Sequence, residues 1–263
     1  MPRDGKMSQL EKSALLLASF PGGTPLTLAQ ACTRTGLPRS TTHRLLVELS
    51  ALGWITRTGN RFELGMTLFE LGERVSVKHR LRSAAMPFMQ DLFAVTEQTV
   101  HLAVRDNYDV VYIEKLHGHS ALSLPSHIGG RLPLTCTAVG KALLAYETAA
   151  VRTDVLSRPM RRYTTNSITT ETQLARELDE ARARGVAIER EEAAIGGCCL
   201  AAAVLRGGEP VAALSVSVPA EQFRPELLAP AVRTAALALG RVLSRPSTTT
   251  TPGHLEKHPP HLL

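Results

Sequence analysis

Six consecutive residues, Arg39-Ser40-Thr41-Thr42-His43-Arg44, set two guanidiniums around three hydroxyls and an imidazole, and no carboxylate falls between Glu11 and Glu48. Guanidiniums take phosphates or a guanine edge, and short hydroxyl side chains permit close approach to bases, so the chemistry on offer is that of reading a DNA groove. Ser40 and Thr41 have a competing role, satisfying the free amides that open a helix. A second set lies far along the chain: Ser215 and Ser217, two apart on an alternating segment, present two hydroxyls to one side.

Other chemistries are poorly served. His101, His117, His119 and His127, with Cys136, are zinc-ligand types, but they lack the short paired spacing of a structural zinc site, and surface or loop histidines are the favoured reading. Val139-Gly140-Lys141-Ala142 is no phosphate loop, because Ala142 follows Lys141 and no glycine stands five residues before Gly140. Neither G-x-S-x-G nor G-x-G-x-x-G occurs. No catalytic residue, metal or cofactor is therefore expected. Two alternatives stay open: an enzyme built on the C-terminal part, and a constitutive architectural DNA-binding protein with an empty second domain.

The elements that must position these residues fall into two groups. The chain has 263 residues, 44% hydrophobic and 21% charged, enough for two domains. Its net charge of +6 sits at the ends: residues 1–65 carry eight Lys or Arg against four Asp or Glu, residues 66–240 carry nineteen of each, and residues 241–263 carry three against one. Such a basic start suits a polyanion. Three helices are expected over residues 8–20, from Thr27 to Gly36, and from Arg39 to Leu52. The first would turn Leu10, Ala14 and Leu17 inward; the second has a T-x-x-Q capping box at Thr27 and Gln30. Two strands around Thr58-Gly59-Asn60 follow, giving a winged helix-turn-helix with Arg57 and Arg61 on its wing. Residues 66–80 read as a linker helix.

Beyond it the expected elements are a helix over 82–96, a hairpin of Thr99–Arg105 and Val110–Leu116, and a possible sheet extension at Ala121–Pro125. Helices at 137–146 and 171–184, a strand at 186–190, long apolar strands at 198–205 and 211–218, and a last helix over 223–243 complete the domain. Hairpins separated by helices argue for an α+β domain with a mainly antiparallel sheet. The tail at 246–263 is expected to be disordered. The longest uncharged apolar run, Ala193 to Leu205, is well short of the roughly 20 residues of a membrane helix. With no secretory leader apparent and four cysteines in no disulfide pattern, a cytoplasmic protein with reduced thiols is expected.

The run from Gly36 to Leu46, then Leu52-Gly53-Trp54-Ile55 and Arg61-Phe62-Glu63-Leu64-Gly65, resembles the DNA-binding domain of IclR-type bacterial transcriptional regulators. Gly129 to Ala145, Arg184 to Glu192, Gly196 to Ala202 and Ala212 to Ser217 are similar to that family's effector-domain motifs. The resemblance implies that Arg39 to Arg44 form a recognition helix for a palindromic double-stranded operator. It implies a GAF-like second domain (81–245) that binds a small anionic or aromatic effector and forms homodimers or tetramers. By the same resemblance Glu189, Cys199, Ser215 and Ser217 hold pocket positions, Val139 and Gly140 offer amides, and Leu132 and Leu134 give an apolar wall. Where family members often carry Asp-Asp-Glu-Glu, this chain has Glu189-Arg190-Glu191-Glu192; Arg190, pointing inward, would favour an anion.

Overall fold

The computed structural model describes residues 7–20, 22, 24–119, 122 and 124–245. The expected tail at 246–263, and Ala121 and Ser123 of the proposed sheet extension, lie outside the described residues. The chain divides into two compact units, residues 1–79 and 80–263.

In the first unit, helix α1 (Gln9–Ala18) opens with a capping box between Ser8 and Glu11, and α2 (Leu28–Thr35) with one between Thr27 and Gln30. Helix α3 spans Arg39–Ala51. Strand β1 (Leu26–Thr27) joins the hairpin of β2 (Ile55–Thr58) and β3 (Arg61–Leu64) in the order β1-β3-β2. The core is Leu16, Phe20, Leu26, Ala31, Leu37, Leu45, Leu46, Leu49, Ile55 and Phe62. The stripe expected on α1 is therefore wrongly phased. Leu10 is 78% exposed while Leu16 is fully buried, because three apolar residues in a row, Leu15 to Leu17, leave the inward face to be chosen by the partner helices. The expected single helix over 66–80 is also broken: α4 (Met66–Glu73) ends at Arg74, and α5 starts at Ser76 and runs to Thr96.

The second unit is built on a six-stranded sheet with the order β6-β5-β4-β9-β8-β7 and every ladder antiparallel. The strands are β4 (Thr99–Asp106), β5 (Asp109–Leu116), β6 (Arg131–Pro133), β7 (Ala187–Arg190), β8 (Gly197–Arg206) and β9 (Glu209–Pro219). Alternation gives each strand two faces. Val100, Leu102, Leu200, Ala202, Leu214 and Val216 point to one core, shared with Met89 and Leu92 of α5 and with α9 (Pro225–Ser244). Ala103, Ala201 and Ala213 point to the other, against α6 (Ala138–Leu144), α7 (Ala149–Leu156) and α8 (Glu171–Arg184). Edge strand β6 was not expected: its three residues are too short to alternate visibly, and they are placed by pairing Val110 with Leu132. Helix α7, capped by Thr148, was also missed, since its only buried residue is Val155.

Helix α9 is long and apolar enough to cross a bilayer by composition. Arg233 and Arg241 interrupt it, so it contains no long uncharged run. Here one face packs on the sheet through Val232, Ala235, Ala236, Leu239 and Gly240. At Gly240 a Cβ would come within 2.5 Å of the Leu205 carbonyl oxygen, a close approach only glycine permits.

Candidate nucleic-acid interface and effector cavity

Helix α3 begins at a proline N-cap, Pro38, with no side-chain cap. Neither Ser40 nor Thr41 is the capping residue; Arg39, Ser40 and His43 are exposed and Thr41 is half-buried. Thr42 is different. It is fully buried, and its hydroxyl donates to the Pro38 carbonyl at 3.1 Å, so the expected base contact is corrected to a structural bond. Three and four residues before the core residues Leu45 and Leu46, Thr42 lies on the inward side of the helix.

Arg44 donates to Glu48 Oε1 at 3.0 Å and to Gln9 Oε1 at 2.8 Å, while Gln9 Nε2 donates to Glu48 Oε2 at 2.7 Å. This exposed triad ties α1 to α3, which leaves Arg39 as the recognition-helix guanidinium nearest the helix start. On the wing, Arg57 pairs across the ladder with Phe62 and its guanidinium lies 5.6 Å from that ring, whereas Arg61 pairs with Thr58. The two arginines therefore point to opposite faces of the wing.

In the second unit the ladder register gathers the polar residues. Glu189 of β7 stands opposite Cys199 of β8, Cys199 opposite Ser217 of β9, and His101 of β4 opposite Ser215. Directly opposed residues share a face. These five side chains line one cavity of about 30 Å³, room for a water or two, closed by Leu124, Pro125, Leu132, Ala138 and Val139. Six of the eight expected effector residues reach it: Leu132, Val139, Glu189, Cys199, Ser215 and Ser217. Leu134 and Gly140 do not. Leu134 is fully buried in the adjoining core, and the Gly140 N–H donates to Thr137 Oγ1 at 3.1 Å, so that amide is already used. Gly140 instead lets α6 pack against the backbone of Leu134, where a Cβ would come within 2.2 Å of the carbonyl oxygen. Arg190 is a further correction: it is exposed, its guanidinium 4.8 Å from the Phe223 ring, and not in the cavity. As the residue after Glu189 on an alternating strand, it faces the other way.

His101, expected as a surface or loop histidine, is instead buried on β4 at the centre of a polar chain, because its strand is an inner one of the sheet. Its Nε2 lies 2.8 Å from Ser126 Oγ, and its Nδ1 lies 3.5 Å from both Ser215 Oγ and Ser217 Oγ. Ser217 Oγ in turn is 2.9 Å from Cys199 Sγ. Tyr112 packs on the imidazole, ring centroids 5.2 Å apart. Burial, then the charges of Lys115 and His117, hold the imidazole down to about 3. Alternation of Thr99–Arg105 would have placed His101 on the face of Ala103, but only the pairing of β4 with β9 shows what it meets.

Beside the cavity, Glu189 accepts N–H bonds from Glu192 and from Ala193, which oppose but do not cancel the rise in its pKa that burial produces. Lys141 is 1% exposed and lies 2.6 Å from Glu192 and 2.5 Å from Glu177. Burial lowers its pKa, but those two carboxylates outweigh that and hold it above the usual lysine value. Burial raises Glu192 to about 7 despite Lys141. Burial also pushes Cys136 up to about 12 and Cys199 well up. Among the described residues no three His, Cys, Asp or Glu side chains gather as a metal would require.

Residues 74–244 match the C-terminal domain of bacterial transcriptional regulator IclR, and residues 9–59 match the IclR helix-turn-helix domain. The chain is 31% identical over 228 residues to the transcriptional repressor IclR of Escherichia coli, covering 83% of this chain and 82% of that one. It is 34% identical over 194 residues to the transcriptional regulator KdgR of Dickeya chrysanthemi, covering 72% of this chain but 64% of that protein's length. Among solved structures, an IclR homologue from Microbacterium hydrocarbonoxydans complexed with 4-hydroxybenzoate superposes with a TM-score of 0.80 at 31% identity, covering 90% of this chain and 99% of that one. The Thermotoga maritima IclR gives 0.73 at 28% identity, covering 91% and 100%. These relatives are DNA-binding regulators and not enzymes. With a winged helix-turn-helix ahead of an antiparallel-sheet domain, and both family domains matched in order, the chain belongs to the IclR family of bacterial transcriptional regulators.

Proposed function

We propose that this protein is a ligand-responsive regulator that binds a palindromic operator as a dimer and senses a small metabolite in the cavity of its second unit. The observation that carries the reading is the start of α3, where Arg39, Ser40 and His43 stand exposed on a helix with no side-chain cap and no carboxylate before Glu48. A helix presenting such residues fits the major groove, and wing arginines reach phosphates beside it. Action on DNA places it in the cytoplasm. Residues 1–65 supply DNA binding, 66–80 the link, and 81–245 effector binding and oligomer contacts.

Self-association is supported by apolar side chains left in solvent in each unit: Leu52, Met66 and Phe69 in the first, Val95, Leu227 and Leu237 in the second. Two-fold symmetry is what a palindrome demands. The effector is an organic acid or a phenolic acid: the lining joins hydroxyls and an imidazole to an apolar wall, and the Microbacterium homologue holds 4-hydroxybenzoate. At about 30 Å³ the cavity must widen to admit either, and an effector that favours the widened state thereby shifts the protein between arrangements of different operator affinity.

Fluorescence anisotropy on DNA from upstream of its own gene and adjacent genes, with competitor DNA and varied salt, tests the reading. Tight binding to one fragment, falling steeply with salt and altered by a metabolite, is the expected result. Equal affinity for all fragments, with no metabolite changing it, sinks it.

A further inference from the structure

The cavity poses a charge problem for the organic acid that the proposed function, on which this inference rests, assigns to it. Among the described residues no lysine or arginine lines it; its ionisable lining is His101, Tyr112, Glu189 and Cys199. The nearby cations are committed elsewhere. Lys141 lies between Glu177 and Glu192, Arg190 stacks on Phe223 outside, and Lys115 donates to the Ser126 carbonyl at 2.7 Å and to its hydroxyl at 3.2 Å. An entering carboxylate therefore meets Glu189 and no available positive charge. A buried anion in that position is unstable unless it is paired.

Among the described residues that line it, His101 is the one side chain that can become a cation. Both its ring nitrogens face hydroxyls, of Ser126 on one side and of Ser215 and Ser217 on the other. Hydroxyls donate or accept as required, so the ring can pass from neutral imidazole to imidazolium with every bond kept, the hydroxyls turning to accept. The groups facing it are Tyr112, Lys115 and His117 from β5 and the residue beyond it, Cys199 from β8, Ser215 and Ser217 from β9, and Ser126. Of these and Glu189, Tyr112 and Cys199 are kept neutral by burial, and Glu189 already accepts two amide N–H bonds that favour its ionised form. With the cavity empty, burial first and then the charges of Lys115 and His117 disfavour a charge on the ring; a carboxylate in contact with it opposes all three.

We propose that the cavity takes its effector as an anion together with one proton, and that His101 is the residue that receives the proton and pairs with the effector's carboxylate. The selectivity that follows is for acids over their amides and esters, strengthened as pH falls.

The test uses the full-length protein with formate, acetate and 4-hydroxybenzoate as probes, and 4-hydroxybenzamide as the neutral counterpart. Calorimetry in buffers of different ionisation enthalpy reads proton uptake, and histidine NMR reads the His101 ring directly. The expected result is uptake of close to one proton per bound carboxylate, affinity falling about tenfold per unit rise over roughly pH 6 to 8, and a doubly protonated His101 ring in the complex. His101→Gln, whose unfolding midpoint checks that the fold survives, should remove the uptake. Carboxylate binding without uptake, uptake unchanged in His101→Gln, or uptake lost only in Glu189→Gln overturns the proposal. Binding of the amide but of no acid also overturns it while leaving the effector reading intact, as does binding of no probe by a protein whose operator affinity another metabolite still alters.

Discussion

Lys141 Nζ lies 2.6 Å from Glu192 Oε1, with the lysine 1% and the glutamate 4% exposed. The second oxygen, Glu192 Oε2, is buried with no hydrogen-bond partner among the described residues. The same turn is held by Glu189, which accepts the Glu192 and Ala193 amides, so the ion pair fixes the carboxylate that lines the cavity.

Above about pH 7, where Glu192 is ionised, removing its lysine partner leaves a buried charge without compensation. Lys141→Met should therefore destabilise the protein by about 3–5 kcal/mol. Urea unfolding measures it, and a loss below about 1 kcal/mol would mean that water reaches Glu192.

Glu192 also makes stability depend on pH. Its folded value of about 7 lies above the ordinary 4.5, so the folded protein holds an extra proton between them. Its contribution is present below about 4.5 and is lost as pH rises through about 7. Relative to Glu192→Gln, the wild type should lose up to about 3 kcal/mol across that window. Equal pH slopes for the two proteins would contradict the burial of this carboxyl.

Thr42 and Arg39 should separate fold from recognition. Thr42→Val loses its bond to Pro38 and should cost about 1 kcal/mol of stability. Arg39→Ala should leave the unfolding curve in place but weaken operator binding by about 1–3 kcal/mol. If Arg39 meets a phosphate, the salt dependence also becomes shallower by about one counterion, and anisotropy across a salt series reads both effects.

Gly140→Ala should lower stability by about 1–3 kcal/mol, since its Cβ meets the Leu134 backbone, which cannot rotate away. A differential scanning trace matching the wild type would show that α6 can shift without cost.

The thiols should react in order. Cys136 and Cys198 are buried, and burial raises both, so neither reacts before unfolding. Cys199 is half-buried and lines the cavity, so its slow labelling should stop when a cavity ligand is bound. Cys32, half-buried in the first unit, should label independently of any effector. Mass mapping after timed alkylation distinguishes them.

Local signals were legible in the sequence wherever neighbours along the chain decide the outcome. The capping box at Thr27, the wing turn at Gly59, and the apolar runs of β8 and β9 are settled within a few residues. So is the sharing of one strand face by Ser215 and Ser217, because period two is a property of any strand. What those serines face is not local. His101 meets Ser215 across 114 positions, and the ladder that brings them together is fixed by packing both sheet faces at once. The same non-local packing turned Thr42 inward, chose Leu16 over Leu10, and sent Arg190 out to Phe223. Sequence by itself therefore determined the longer elements and the residue types they carry, but not the short β6 and α7 or the break between α4 and α5. The tertiary structure decided which side chains share an enclosed space, because burial and pairing depend on segments the chain brings together only when folded.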